Sequence, residues 1–218
     1  MPTALGRLHV ITDEVLQTRF THAEIAALVT KGGAGTVQYR EKRPKLTREL
    51  IETARAVAEA CSANGASSII DDRVDVAEAV GADGLHLGKD DLPIAVARRM
   101  APGLLIGGTA NSLEEARRVW QQPLDYLGVG PIYGTQSKAN PAPVMGLETL
   151  HAIAGECPVP VIAIGSITAA RVPEVLDAGA YGVAVISAIT CAEDPEAAAR
   201  EFADVIEKWL ATRKEPAR

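Results

Sequence analysis

The side chains best suited to chemistry in this 218-residue chain sit in short strings at the ends of apolar runs. One string is Gln38-Tyr39-Arg40-Glu41-Lys42. In an extended segment alternate residues share a face, so Gln38, Arg40 and Lys42 point one way and Tyr39 and Glu41 the other. Two cations at one strand end can hold a polyanion, Arg by its fork of donors and Lys as a point charge. Two further runs end in Ile70-Asp71-Asp72-Arg73 and Leu87-Gly88-Lys89-Asp90-Asp91. Asp72 and Asp91 could share one Mg2+, an ion that prefers one or two carboxylates together with water and substrate phosphate. Each residue alone has a plainer reading, as a solvated charge or as an Asp capping the next helix. Their grouping favours a diphosphate site with Mg2+.

A fourth string, Gly107-Gly108-Thr109-Ala110-Asn111, combines small residues that permit close approach with a hydroxyl donor in Thr109. After Gly130-Pro131-Ile132-Tyr133-Gly134 come three anion donors, Thr135, Ser137 and Lys138. Their loop runs on to Gly146 and is the longest that follows a strand, which suits a lid; a solvated Lys loop is the alternative. Gly165-Ser166 and Ile186-Ser187 end the last two apolar runs, where a phosphate can meet backbone N–H groups. The plainer reading, simple turn residues, is the weaker one here because both loops fit the same rule at once. His9 and His86 fall within strands, where a satisfied core histidine is the commoner case, and His22 and His151 read as helix-start or helix-surface residues. No Ser/His/Asp spacing or nucleophile elbow is present.

These strings need elements to position them. Short apolar runs at Leu8–Thr12, Thr36–Arg40, Ser67–Asp71, Gly84–Gly88, Leu104–Thr109, Tyr126–Ile132, Pro160–Ile164 and Gly182–Ser187 have the length of buried strands. Between them lie stretches with helical spacing: Ala23–Val29, Leu46–Ala63, Val74–Val80, Ile94–Met100, Leu113–Trp120, Leu147–Ala154, Ala169–Ala178 and Pro195–Leu210. Thr47 with Glu49 and Ser112 with Glu115 read as helix starts, Gly32-Gly33, Gly65, Gly81 and Gly179 as helix ends, and the recurring Gly-Ala-x-Gly at Gly33–Thr36 (as Gly-Ala-Gly-Thr), Gly81–Gly84 and Gly179–Gly182 as helix-to-strand returns. Eight successive βα units predict a closed (β/α)8 TIM barrel of the α/β class, one domain over residues 1–218. The rival, a doubly wound open sheet, usually carries a Gly-rich turn after its first strand, whereas this strand ends Ile11-Thr12-Asp13. Barrel chemistry belongs at the C-terminal strand ends, where all the strings above fall. The loops after strands seven and eight are the usual phosphate site.

Composition narrows the function. With 22 basic and 28 acidic residues the formal net charge is −6, which gives no whole-chain footprint for nucleic acid or an anionic membrane. Aromatic residues make up 4%, too few for stacking platforms. Cys61, Cys157 and Cys191 show no disulfide or zinc spacing and suit a reducing cytoplasm. No signal peptide or membrane-length apolar run is evident. The bottom-up expectation is a barrel with a diphosphate site and a second phosphate site, built to displace a diphosphate leaving group.

The strings Gln-Tyr-Arg-Glu-Lys, Asp-Asp-Arg-Val-Asp, Gly-Ala-Asp-Gly-Leu-His-Leu-Gly-Lys-Asp-Asp-Leu-Pro, Gly-Val-Gly-Pro-Ile-Tyr-Gly-Thr-Gln-Ser-Lys and Val-Ala-Val-Ile-Ser-Ala-Ile resemble those of the thiamine-phosphate synthase family. The likeness runs in order along nearly the whole chain. It implies a TIM barrel that joins hydroxymethylpyrimidine diphosphate to hydroxyethylthiazole phosphate, releasing pyrophosphate with Mg2+. It implies that Gln38, Arg40, Lys42 and Asp71 contact the pyrimidine diphosphate and that Asp72 and Asp91 ligate Mg2+. Thr109 stands where the family has a diphosphate-binding Ser, and Lys138 matches its pyrophosphate-binding Lys. Thr135 and Ser137, the Gly165-Ser166 pair, and Ile186 with Ser187 match contacts to the thiazole phosphate. Arg40, Lys42 and Lys138 would act on the leaving group.

The chain departs from the family pattern at Asp71, Lys89, Thr109-Ala110-Asn111 and Ser166, where the family usually has Asn, Gln, Ser-Thr-His and Gly. The expectation is that Asp71 and Lys89 pair and balance one another. A sister branch, a thiazole tautomerase, uses a His where this chain has Asn111. The other readings are a non-catalytic phosphate-binding barrel and a metal-free barrel isomerase. Oligomeric state is left open, and a homo-oligomer is compatible with the sequence.

Overall fold

The computed structural model describes residues 5–134 and 142–213. Thr135, Ser137 and Lys138, and most of the expected lid, lie outside the described residues. Eight parallel strands close into a barrel: β1 Leu8–Thr12, β2 Thr36–Tyr39, β3 Ser67–Asp71, β4 Gly84–Leu87, β5 Leu105–Ala110, β6 Tyr126–Val129, β7 Val161–Ile164 and β8 Gly182–Val185. Each strand pairs with the next in sequence, and β8 returns to β1 through Leu8–Val183 and Val10–Val185. The helices are α1 His22–Lys31, α2 Thr47–Ala63, α3 Val74–Val80, α4 Ile94–Met100, α5 Leu113–Val119, α6 Gly146–Glu156, α7 Val172–Asp177, α8 Ser187–Thr190 and α9 Pro195–Thr212.

Two separate apolar clusters follow from strand alternation. One face of each strand packs outward under the helices, through Val10, Val37, Ile70, Leu85, Ile106 and Leu127 among others. The opposite face fills the barrel with a smaller plug of Ile11, Ile69, Tyr126, Ile162 and Ala184. The inward face is also the one that carries Gln38, His86 and Thr109 to the mouth.

Local chemistry explains most boundaries. Ser112 accepts the Glu115 N–H at 3.1 Å, so α5 begins where its Ser-x-x-Glu spacing predicts. At α2 the cap is Leu46 rather than Thr47; Glu49 accepts the Leu46 N–H at 2.8 Å and supplies the stabilising contact itself. Gly33, Gly81 and Gly179, which open the Gly-Ala-x-Gly or Gly-Ala-Gly-Thr strings, hold φ of +99°, +65° and +99° at helix-to-strand returns. Beyond shifts of a residue or two at other element ends, three segments differ from the sequence reading: the expected helix Ala169–Ala178 is a 3-10 turn, Ala169–Arg171, followed by α7, and the other two are the ends of β6 and β8. β6 stops at Val129, before the cis Gly130–Pro131 peptide, and β8 stops at Val185, so that Ser187 opens the short helix α8.

Candidate active site

A cavity of about 1320 Å3 opens at the C-terminal ends of the strands. Its lining includes Gln38, Arg40, Lys42, Asp71, Asp72, Asp91, Thr109, Gly165, Ser166, Ile186 and Ser187. Every sequence-derived site residue among the described ones therefore reaches one space.

One wall is built by the ends of β2, β3 and β4. Asp71 lies at its centre. Its Oδ1 accepts a hydrogen bond from Gln38 Nε2 at 2.7 Å, and its Oδ2 lies 2.8 Å from Lys42 Nζ and 3.9 Å from Arg40 Nε. Burial and the neighbouring Asp72 carboxylate push the Asp71 carboxyl up, while Lys42 and Arg40 pull it down. Lys42 also pairs with Asp72. Burial alone would lower the Lys42 ammonium, but the two carboxylates outweigh it and hold its pKa above the ordinary value. Lys89 lines the same cavity yet forms no ion pair among the described residues. The expected Asp71–Lys89 pair is thus replaced by Asp71–Lys42, the cation that the chain after β2 brings to the end of β3.

Asp72 sits at φ +62°, a left-handed conformation that Asp tolerates better than most residues, and its N–H donates to the His86 carbonyl at 2.9 Å. Asp91 accepts the Gly88 N–H at 2.7 Å, closing the turn after β4. Burial and the adjacent Asp72 carboxylate push the Asp91 carboxyl up. A divalent cation held between Asp91 and the Asp72 carboxylate would remove the repulsion that Asp91 feels. Among the described residues the lining holds Arg40, Lys42, Lys89 and Arg171 against Asp71, Asp72, Asp90, Asp91 and Glu115. A diphosphate entering this space needs further positive charge.

The opposite wall comes from the ends of β7 and β8. Gly165 holds φ +116°, and a Cβ there would lie 2.7 Å from Pro131 Cα and 2.8 Å from the Gly134 oxygen. Only glycine lets this turn pack under the loop after β6. Ser166 follows at φ +48° and is exposed to the cavity. Ile186 caps α8 and Ser187 begins it.

Several groups in or beside the cavity escaped the sequence reading. Arg171 stacks 4.2 Å above the Tyr133 ring and donates to the Ser166 carbonyl at 3.0 Å, which brings a cation to the small-residue wall. Asp13, at the end of β1, forms an ion pair with Arg40 and is held by the Val15 and Leu16 N–H groups at 2.8 and 3.1 Å. Its place at a strand end was the available signal. His86 and His9 both line the cavity, but His9 is almost wholly buried beneath it, and its Nε2 bonds the Gly6 carbonyl at 2.9 Å. His22 starts α1 but is buried rather than on the surface, with Nδ1 at 2.6 Å from Thr12 Oγ1. Its Nε2 lies 3.7 Å from Glu14 and 3.5 Å from Glu41. Burial lowers its pKa against the pull of both carboxylates. Arg43 pairs with both carboxylates, its Nε 2.9 Å from Glu41 Oε1, so the group fastens the loop after β1 to the loop after β2.

The comparisons with known proteins agree with one another. Residues 8–189 match the family model described as thiamine monophosphate synthase. The chain is 47% identical over 208 residues to a thiamine-phosphate synthase of Salinibacter ruber, covering 95% of this chain and 91% of that protein. It is 43% identical to one of Methanocella arvoryzae, with 93% and 95% covered. Among solved structures it resembles a thiamine phosphate pyrophosphorylase of Pyrococcus furiosus, at a TM-score of 0.86 and 41% identity, over 94% of this chain and 96% of that one.

Proposed function

Since this chain belongs to the thiamine monophosphate synthase family, we propose that it makes thiamine phosphate from a pyrimidinylmethyl diphosphate and hydroxyethylthiazole phosphate, with pyrophosphate as the second product. The observation that carries the reading is the facing of two unlike walls across one cavity. One has Gln38, Arg40 and Lys42 beside Asp71, Asp72 and Asp91; the other has Gly165, Ser166 and Ser187.

The bond that breaks joins the pyrimidinylmethyl carbon to a diphosphate oxygen, and its electron pair leaves with pyrophosphate. The thiazole nitrogen then donates its lone pair to that carbon. No proton need be moved to make this bond, so the step asks for charge stabilisation and positioning rather than a general base. Arg40 and Lys42 would bind the diphosphate oxygens and stabilise the charge that grows on them, with Lys138 of the loop after β6 joining them. Gln38 and Thr109 would orient the diphosphate half by hydrogen bonds. The second wall would hold the thiazole phosphate through backbone N–H groups near Gly165, Ser166 and Ile186 and through the hydroxyls of Ser187, Thr135 and Ser137, with Arg171 nearby. Holding both halves in line supplies much of the rate. Asp72 and Asp91 are the residues that would hold Mg2+, which when bound neutralises charge on the diphosphate. Asn111 donates to the Gly130 carbonyl and offers no titrating group for a tautomerase reaction.

We read the whole chain, 1–218, as one barrel domain. A cytoplasmic setting is supported by the free thiols of Cys61, Cys157 and Cys191. Among the described residues no helix is long and apolar enough to cross a membrane.

The test is pyrophosphate release with both precursors, in Mg2+ and in EDTA. Release requiring both precursors and Mg2+, with thiamine phosphate as co-product, is the expected result. Asp72→Asn keeps a residue that tolerates the left-handed backbone while removing the charge, and should lower kcat by about a hundredfold or more. Binding of both precursors without turnover by the unaltered protein would refute the synthase reading.

A further inference from the structure

Behind Thr109, the floor of the cavity contains two side chains that the reaction above leaves unused. Tyr126, from β6, is 1% exposed and projects into the barrel. Its hydroxyl lies 3.0 Å from His86 Nδ1, and His86 Nε2 lies 2.8 Å from Thr109 Oγ1. The neighbouring backbone is cut back to admit both rings. A Cβ at Gly107 would meet the Tyr126 ring at 2.1 Å, and one at Gly128 would meet His86 Cε1 at 3.1 Å. Gly107 is paired with His86 across β4 and β5, and Gly128 with Thr109 across β5 and β6. Two strands thus give up side chains where the phenol and imidazole lie.

The direction of the relay follows from counting protons. A neutral imidazole has one N–H and one lone pair. Among the described residues the Tyr126 hydroxyl has His86 as its hydrogen-bond partner. If Nδ1 carried the proton, the buried phenolic O–H would lack an acceptor, a costly arrangement. The phenol therefore donates to Nδ1, and Nε2–H donates to Thr109 Oγ1. That bond occupies a lone pair of the Thr109 oxygen and leaves its proton directed away from His86, into the cavity. The opposite arrangement would spend the Thr109 proton on His86.

We propose that His86 and Tyr126 are positioning residues that fix the donor direction of the Thr109 hydroxyl and aim its proton at the bound diphosphate. The proposal rests on the synthase reading, in which Thr109 faces that group. Burial pushes the Tyr126 phenol well above its ordinary pKa, which keeps its proton available for donation.

The experiment measures binding of inorganic pyrophosphate with Mg2+ by calorimetry, alongside the KM for the pyrimidine diphosphate. His86→Phe keeps a ring in place but removes both hydrogen bonds. It should weaken pyrophosphate binding and raise that KM about tenfold, with little change in the KM for the thiazole phosphate. In a Thr109→Ala background the same change should have no further effect. Equal losses in both backgrounds, or an unchanged affinity in folded His86→Phe, would overturn the proposal. If His86→Phe does not fold, Tyr126→Phe serves instead, with a smaller loss that also vanishes beside Thr109→Ala. Imidazole 15N shifts give a readout independent of affinity. His86 should be protonated on Nε2 in the unaltered protein, and a dominant Nδ1–H form would overturn the relay. Failure of the unaltered protein to bind pyrophosphate would instead strike the synthase reading, and the proposal with it.

Discussion

Ser166 holds its backbone at φ +48°, where a Cβ meets the following carbonyl and costs about 1–2 kcal/mol. Part of that cost is offset because serine has less freedom to lose than glycine on folding. Ser166→Gly should therefore stabilise the protein by about 0.5–1 kcal/mol, seen as a higher urea midpoint at unchanged m-value. A lower midpoint would mean that the Ser166 hydroxyl contributes more than the backbone strain costs. The grouping of Gln38, Arg40, Lys42, Asp71, Asp72 and Asp91 was legible because alternation on one strand and Asp at neighbouring strand ends are properties of the chain itself. The partners were less so. Lys42, rather than Lys89, meets Asp71, although β2 and β4 both lie against β3, a choice that charge alone does not convey. Arg171 and Asp13 were overlooked because each acquires its role from a side chain or carbonyl on another element.

At the scale of elements, the turn after β7 and the loop after β6 fit together through Gly165. An added methyl at that position would press on backbone atoms of Pro131, Ile132 and Gly134, none of which can move without the loop. Gly165→Ala should cost about 2–3 kcal/mol and raise the KM for the thiazole phosphate more than that for the diphosphate. Thermal unfolding and paired KM measurements check both parts, and a selective rise in the diphosphate KM would show that the two walls are assigned the wrong way round. Element order was readable because short apolar runs and amphipathic stretches alternate without a break. Val74–Val80 and Ile94–Met100 coincide with the sequence reading in full. The ends of β6 and β8 were not readable, since Gly130–Ile132 and Ile186–Ser187 remain apolar or small while the backbone leaves the sheet. Apolar character reports burial, and both segments stay close to the barrel rim.

For the whole molecule, the inner plug has its own acid sensitivity. His9 is fully enclosed in the barrel, and desolvation lowers its pKa from 6.5 to about 3 despite the bond to the Gly6 carbonyl. The unfolded chain therefore takes up this proton first as pH falls. The stability contributed by neutral His9 is complete above pH 6.5 and is lost progressively as pH drops toward about 3. His9→Gln can keep an N–H donor for Gly6 without titrating. It should flatten the decline in urea midpoint across that window, and an equally steep decline would assign the acid sensitivity to other groups.

The closure of β1 against β8 also has a consequence in time. β1 finds one neighbour at Thr36–Tyr39 but its other only at Leu8–Val183 to Val10–Val185, near the end of the chain. At about 5–20 residues per second, a ribosome needs roughly 7–30 s to get from one to the other. Through that interval the nascent chain carries a strand with an unpaired, apolar edge, the feature most prone to join another chain. The last strand thus does more than complete the rim: its emergence ends the period in which the newborn protein is open to misassembly.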